Sequence, residues 1–335
     1  MLSEFNLIAQ YFTRPPRAGG QVVLGVGDDC ALIAPTAGMQ LAISSDMLVS
    51  GRHFFADVDP FTLGHKSLAV NLSDLAAMGA RPLGFTLALA LPEARAEWLA
   101  PFAKGLLALA DLHQCELIGG DTTKGPLNIC ITIFGETLPS QTLRRDAAKI
   151  GDDIWVSGTL GDARLALAGY RLNSDRTSED EVLRDQIMLD AHSHALAATR
   201  MHQPTPRIAL GLALRGIAHA AIDISDGLVG DLGHILQGSH VGAILHVDSL
   251  PLGAVLTQQA QAVQRHFALA GGDDYELCFT AAAAQRDAVL SAAQKAATTV
   301  TRIGTIVSDT NITYLDANGV TLDLQLSSFD HFRTK

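Results

Sequence analysis

Residues 61–92 read FTLGHKSLAVNLSDLAAMGARPLGFTLALALP, and this stretch decides the fold. As far as Gly79, the apolar residues recur with the spacing of one helical face, directly after Pro60. Beyond Gly79, the segment 84–92 has the pattern of a strand. A helix followed at once by a strand predicts an α/β protein.

The segments on either side continue this pattern. A polar segment at 143–153, with a turn at Gly151, indicates a domain boundary near residue 150. We therefore predict two α/β domains, residues 1–150 and 151–335. The first has predicted helices at 3–12, 61–79 and 93–111 and strands at 22–26, 40–45, 84–92, 115–118 and 127–135. The second has predicted helices beginning at 161 and 179 and at 227–237 and 282–296, and strands at 153–158, 219–225 and near 243 and 275.

Composition excludes several classes of partner. The chain has 335 residues, 48% of them apolar, and a net charge of −11 without any run of Lys or Arg. This charge argues against nucleic acid or an anionic membrane as a partner. The start of the chain lacks a leader-like apolar region, and no apolar run reaches the roughly 18 residues of a membrane span. Four widely spaced cysteines predict buried thiols, so we expect a soluble cytoplasmic protein.

Acidic residues recur beside glycines or serines at the ends of apolar stretches. Helix capping and turn formation explain any one of these motifs, but six are harder to explain in this way. If they converge, each close pair of carboxylates repels by about 4 kcal/mol at an effective dielectric constant near 20, so cations are required. The six motifs are GVGDD (25–29), ISSD (43–46), NLSD (71–74), IGGDTT (118–123), DISDG (223–227) and AGGDDYE (270–276).

Oxygen donors without accompanying His or Cys favour hard ions, Mg²⁺ first. Mg²⁺ is usually shared with phosphates, which predicts a polyphosphate ligand. Neither a P-loop nor the protein-kinase signature is present. GVGDDC partly matches the dinucleotide-binding fingerprint, but Asp28 and Asp29 in that loop would repel a pyrophosphate. In a turn after a strand adjacent side chains diverge, so one aspartate can face a metal while the other supports the loop.

Taken in order, GVGDDCA, AISSDMLVSGRHF, NLSDLAAMGARP, LIGGDTTKGP, DISDGLVGDLGHI and GGDDYELCFT closely resemble the thiamine-monophosphate kinase family. This family is part of a superfamily with aminoimidazole ribonucleotide synthetase and selenophosphate synthetase. The resemblance implies the two-domain α/β (α+β) fold of that superfamily, with the N-terminal domains pairing into a barrel across a homodimer.

The resemblance also assigns site residues. It implies catalytic roles for Asp46, Asp121 and Arg145. It implies Mg²⁺ ligation by Asp28, Ser44, Ser45, Asp46, Asp74, Asp121, Asp223 and Asp226, contact with ATP by Gly120, Asp121, Arg145 and Ser225, and contact with thiamine monophosphate by His53, Asp273 and Phe329. Three positions depart from the family pattern: Asp273 replaces Glu, His113 replaces Tyr and Ser45 replaces Thr.

The activity implied is phosphorylation of thiamine monophosphate by ATP with several Mg²⁺ ions, by direct in-line transfer. The nucleophile is then a phosphate oxygen that is already ionised near neutral pH, so no general base is required. Three alternatives remain open: a superfamily relative that phosphorylates another small acceptor, a Mg²⁺-dependent phosphohydrolase, and a non-enzymatic dinucleotide-binding module.

Overall fold

The chain divides into two compact units, Met1–Thr142 and Leu143–Lys335. The computed structural model describes residues 4–172, 183–324 and 326. The division falls a few residues before the predicted boundary near 150, because the backbone of Arg144 already pairs with Ala220 of the second unit. Within the described residues, no helix is long and apolar enough to cross a membrane.

The first unit contains helices packed on a four-stranded sheet and a separate two-stranded sheet. Its helices are α1 (Glu4–Leu7, continued by a wider π-helical turn over Ile8–Phe12), α2 (Pro60–Ala77) and α3 (Ala96–Leu112). Its strands are β1 (Val22–Leu24), β2 (Leu32–Ile33), β3 (Gln40–Val49), β4 (Arg81–Leu91), β5 (Glu116–Lys124) and β6 (Asn128–Thr137). The stretch at 61–92 thus forms the helix and strand that its pattern predicts.

Glycines bring α2 and α3 close together. A Cβ added at Gly64 would lie 2.1 Å from the carbonyl oxygen of Phe102, and one at Gly105 would lie 1.9 Å from that of Phe61. Only glycine fits at these two crossing points, so the two helices pack backbone to backbone. The start of α2 is fixed by Asp59, whose side chain accepts a hydrogen bond from the amide of Thr62.

The four-stranded sheet has the order β3-β6-β4-β5, with β4 and β5 parallel and the other pairs antiparallel. One face packs against α2 and α3, and β4 contributes the buried side chains of Leu87, Leu89 and Leu91 to that core. On the opposite face, Ile43 and Met47 are 60% and 53% exposed. We call this second surface the open face of the sheet.

The second unit has a six-stranded sheet in the order β12-β9-β11-β7-β10-β8, in which only the pair β12 and β9 is parallel among the described strands. Its strands are β7 (Asp152–Ser157), β8 (Ala218–Asp223), β9 (Gly242–His246), β10 (Leu277–Ala282), β11 (Val300–Val307) and β12 (Ile312–Leu315). Its helices are α4 (Asp162–Leu172), α5 (Ala191–His202), α6 (Ile208–Ala213), α7 (Leu228–Ser239), α8 (Gln261–Ala270) and α9 (Arg286–Lys295).

Several expectations change against this architecture. Helices α6 and α8 were not predicted, and the predicted helix beginning at 179 starts outside the described residues. Cys115 and Cys278 are buried thiols as predicted, but the prediction is wrong for Cys30, which is exposed beside the GVGDD turn. Cys130 is only partly buried, because it lies on the open face of the sheet.

Candidate active site

Ser44 and Asp74 are in direct contact in the first unit. The hydroxyl of Ser44, on β3, donates a short hydrogen bond to a carboxylate oxygen of Asp74, on α2. Side chains alternate along a strand, so Ser44 and Asp46 share the face of β3 that packs on α2. The structure thus brings together two of the predicted metal ligands and places a third on the same face.

Ser45 lies on the opposite, open face. Its hydroxyl is 3.0 Å from the hydroxyl of Thr132 and donates to the carbonyl of Ile131 at 3.2 Å. A serine pair on one strand therefore presents hydroxyls to both faces, which follows from the two-residue period of a strand.

Asp46 and Asp121 lie on opposite edge strands of the sheet. Asp46 pairs in register with Ile131, whereas Asp121 pairs with Ala88, and the strands β6 and β4 separate them. At about 4.8 Å per strand, three steps correspond to about 14 Å. Asp121 shares its row with Met47 on the open face, so the two carboxylates also lie on different faces. Within one chain they are not brought together.

Three further predicted residues in the first unit, Asp28, His53 and Gly120, have well-defined local geometry. A carboxylate oxygen of Asp28 accepts a hydrogen bond from the amide of Asp29 at 2.8 Å. His53 lies just after β3, and its Nδ1 accepts from the amide of Val49 at 3.0 Å. In the neutral ring this leaves the proton on Nε2. Gly120 precedes Asp121 with a φ of 145°.

The DISDG loop of the second unit is held by Asp231, a residue without a predicted role. Oδ2 of Asp231 accepts hydrogen bonds from the amides of Ser225, Asp226 and Gly227 at 3.0, 3.1 and 3.1 Å. Amides that bind a carboxylate of their own chain are not offered to a phosphate. These three amides therefore do not form an anion-binding nest.

Three carboxylates lie close together at the same loop. Burial raises the pKa of Asp231 to about 7, and the neighbouring carboxylates of Asp223 and Asp226 raise it as well. Asp223 itself is buried at the end of β8. A carboxylate cluster of this kind is relieved by a cation.

The DISDG loop is bonded to the GGDDYE loop. The amide of Asp273 donates to the carbonyl of Ser225 at 2.9 Å, and the amide of Tyr275 donates to that of Ile224 at 2.8 Å. Gly272 permits this approach, since a Cβ there would lie 2.4 Å from the carbonyl oxygen of Ser225. Predicted ATP and substrate residues are thus adjacent in the second unit.

Arg145 is distinguished from its neighbour by its surroundings. The guanidinium of Arg144 forms an ion pair with Asp146, whereas that of Arg145 is exposed and has no ion pair with any described residue. The backbone of Arg145 is fixed, because its carbonyl accepts a hydrogen bond from the hydroxyl of Ser239 at 3.2 Å. This arrangement favours Arg145 as the arginine available to a ligand. Phe329 lies outside the described residues.

Among residues 4–172, 183–324 and 326, no group of three or more His, Cys, Asp or Glu side chains is gathered closely enough to hold a metal ion. Asn71, one helical turn before Asp74 on α2, is buried, and its side-chain oxygen has no hydrogen-bond partner among those residues. Residues three apart share a face of a helix, so this unsatisfied buried amide oxygen is a further hard donor on the face of α2 that carries Asp74.

Comparison with known proteins places both units. Residues 27–137 match the sequence model of the AIR synthase related protein N-terminal domain, and residues 149–316 match that of the C-terminal domain. The chain is 43% identical over 333 residues to the thiamine-monophosphate kinase of Salmonella typhimurium, covering 99% of this chain and 98% of that protein.

The chain also resembles solved structures of thiamine-monophosphate kinases. The chain resembles the crystal structure of thiamine-monophosphate kinase from Stenotrophomonas maltophilia K279a with a TM-score of 0.80 and 48% identity, covering 88% of this chain and 91% of that one. It resembles AaThiL complexed with AMPPCP and TMP with a TM-score of 0.73 and 27% identity, covering 89% of each chain.

Proposed function

The chain belongs to the AIR synthase related protein family, and from this premise we propose that it is a thiamine-monophosphate kinase. It transfers a phosphoryl group from ATP to thiamine monophosphate, giving thiamine diphosphate and ADP. The observation that carries this conclusion is the 43% identity, over nearly the whole length of both chains, to a protein with that activity in its name. The AaThiL structure with AMPPCP and TMP supports the same pair of substrates.

The reaction needs positioning and charge neutralisation more than proton transfer. The attacking oxygen belongs to the substrate phosphate, whose second pKa is about 6, so it is ionised near neutral pH without a base. The obstacle is the approach of two anions. We assign Asp46, Asp121 and Arg145 to this step, with the exposed guanidinium of Arg145 neutralising charge on the transferring phosphoryl group.

The donors described above fit Mg²⁺. They are carboxylate, hydroxyl and amide oxygens, and the loop at Ser225 and Asp226 has its amides occupied by Asp231. Because Mg²⁺ keeps several waters and shares its ligands with phosphates, it does not need three protein side chains at one point. When bound, it neutralises phosphate charge and orients the oxygens for in-line transfer. The proposed ligands are Asp28, Ser44, Ser45, Asp46, Asp74, Asp121, Asp223 and Asp226.

Substrate contacts follow from the same assignment. We place Gly120, Asp121, Arg145 and Ser225 against ATP, and His53 and Asp273 against thiamine monophosphate, together with Phe329. His53 offers an Nε2–H donor to a phosphate oxygen, since its Nδ1 is occupied by the amide of Val49. Asp273 is held beside Ser225 by a backbone hydrogen bond, which supports adjacent positions for acceptor and nucleotide.

A homodimer, acting in the cytoplasm, completes the proposal. Ile43 and Met47 expose an apolar surface on the open face of the sheet, which a second copy would cover. This exposed apolar surface supports pairing of two N-terminal sheets.

The alternatives differ in what they consume. A relative with another acceptor would bind ATP and Mg²⁺ but leave thiamine monophosphate unchanged, and a phosphohydrolase would release inorganic phosphate from ATP alone. We expect little ADP from ATP and Mg²⁺ without acceptor and rapid ADP formation once thiamine monophosphate is added. Equal ADP formation with and without the acceptor would contradict the proposed function.

A further inference from the structure

A second buried carboxylate, Glu276, lies at the base of the GGDDYE loop and binds two arginines. Its side chain is fully buried. Arg207 donates to both of its oxygens, from Nε at 2.6 Å and Nη2 at 2.5 Å, and Arg200 donates from Nη2 at 2.8 Å. The hydroxyl of Ser157 donates to Oε2 at 2.6 Å. The bidentate geometry fixes the orientation of this carboxylate.

This cluster ties the loop to three separate elements of the second unit. Ser157 ends β7, Arg200 lies on α5, and Arg207 directly precedes α6. Gly158 leaves room for the carboxylate, since a Cβ there would lie 2.1 Å from Oε1 of Glu276. Arg200 also donates to the backbone carbonyl of Asp274 at 3.3 Å, so the anchor extends along the loop.

The anchored residues alternate with residues in an unfavourable backbone conformation. Asp274 and Glu276 are buried, and both carboxylate oxygens of Asp274 accept from the amide of Gly161. Tyr275, which lies between them, has a φ of 49°, and Asp273, which precedes them, has a φ of 68°. Both values are in the left-handed region that non-glycine residues rarely adopt. Such a conformation persists only where the surroundings impose it.

We propose that Glu276, bound by Arg200 and Arg207, is a positioning residue that holds Asp273 in place for the phosphate acceptor. The proposal rests on the proposed function, in which Asp273 contacts thiamine monophosphate. The backbone carbonyl of Glu276 accepts a hydrogen bond from the amide of Ile224 at 2.8 Å. The Glu276 cluster therefore lies where the DISDG and GGDDYE loops join. The DISDG loop, which carries the proposed ATP contact Ser225, is held separately by Asp231.

The same unit supplies a matched control. Asp153 is also a buried carboxylate that binds two arginines, Arg286 and Arg302, but it lies on β7 and has no contact with either motif loop among the described residues. Loss of either cluster destabilises the unit, whereas only loss of the Glu276 cluster releases Asp273. Stability and positioning are therefore separable.

The test compares Glu276→Gln, Arg200→Lys and Asp153→Asn in the full-length protein. We expect the first two to raise the KM for thiamine monophosphate about 10-fold or more, with a much smaller change in the KM for ATP. We also expect faster hydrogen exchange at the amides of Asp273 and Tyr275, whereas Asp153→Asn changes neither. Arg200→Lys retains the positive charge, and it provides the test if Glu276→Gln fails to fold.

Folded Glu276→Gln and Arg200→Lys proteins with the exchange rates and KM values of Asp153→Asn would overturn the proposal. A wild-type protein that does not phosphorylate thiamine monophosphate would instead contradict the proposed function. Hydrogen exchange would still report whether the cluster holds the loop, so the two failures are distinguishable.

Discussion

The backbone amide of Asp273 donates a hydrogen bond to the carbonyl oxygen of Ser225, with an N···O distance of 2.9 Å. This bond joins two loops that are far apart in sequence, and the contact is close enough to exclude any side chain at Gly272. It places a residue proposed to contact the acceptor beside one proposed to contact ATP. The first experiment therefore concerns this junction.

Gly272→Ala forces the two loops apart, because its Cβ would lie 2.4 Å from the carbonyl oxygen of Ser225. We expect an increase of about 10-fold or more in the KM for thiamine monophosphate and a loss of about 1–3 kcal/mol of stability. Gly233→Ala is the control, since a Cβ at this helical position meets nothing within 4 Å. It should gain about 0.5–1 kcal/mol and keep full activity. Equal effects of the two substitutions in steady-state kinetics would rule out this account of the junction.

Asp74→Asn removes the charge of a proposed Mg²⁺ ligand but keeps an acceptor for the hydroxyl of Ser44. We expect turnover to fall on the order of 100-fold, because charge neutralisation dominates the reaction. The melting temperature without metal should be unchanged or higher, since a negative charge has been removed from the site. Measurements of turnover and thermal unfolding in EDTA test both statements. Near-normal turnover would show that Asp74 has a structural role only.

Ile43→Glu places a charge on the open face of the sheet, where this side chain is 60% exposed in the single chain. We expect the wild-type protein to sediment as a dimer and the variant as a monomer. Leu290→Glu, at a 51% exposed position on α9, should remain dimeric. A monomeric wild type, or a dimeric Ile43→Glu protein, would show that this face is not the interface.

Asp153→Asn tests a structural ion pair through its pH dependence. Hydrogen bonds from Arg286 hold the pKa of Asp153 below its ordinary value. Burial raises this pKa, and a hydrogen bond from Arg302 lowers it further. A lowered folded-state pKa stabilises the protein above the unfolded pKa of about 4, and this contribution is lost as the pH falls through the folded value. We expect the variant to unfold at lower urea concentration at pH 7. The difference in unfolding urea concentration between wild type and variant should disappear below about pH 4. A difference that stays constant with pH would contradict the assignment.

The sequence predicts the elements well where a single pattern dominates. The helix after Pro60 and the strand after it form because capping, periodicity and burial agree. Helix α6, Ile208–Ala213, was missed because six residues are too few to display a period. The strand predicted at 40–45 extends to Val49, since Asp46 and Met47 interrupt the apolar pattern on faces that are not fully buried.

The candidate site was predicted as a set of residues without its supports. Asp231 and Glu276 lie within the quoted motifs, but the sequence assigned neither of them a role. The partners of Glu276 come from distant positions, such as Arg200 and Ser157. Asp231 alone has a local signal, since a carboxylate in the first turn of α7 is typical of an N-terminal cap. The separation of Asp46 and Asp121 depends on strand order, which the sequence does not specify.

Formation of thiamine diphosphate by the purified protein tests the central claim most directly. The measurement supplies ATP, Mg²⁺ and thiamine monophosphate and separates the thiamine products by chromatography. We expect thiamine diphosphate and ADP in equal amounts, with no product when EDTA replaces Mg²⁺. Absence of thiamine diphosphate under conditions in which the protein binds ATP, or turnover of a different acceptor in its place, would contradict the account.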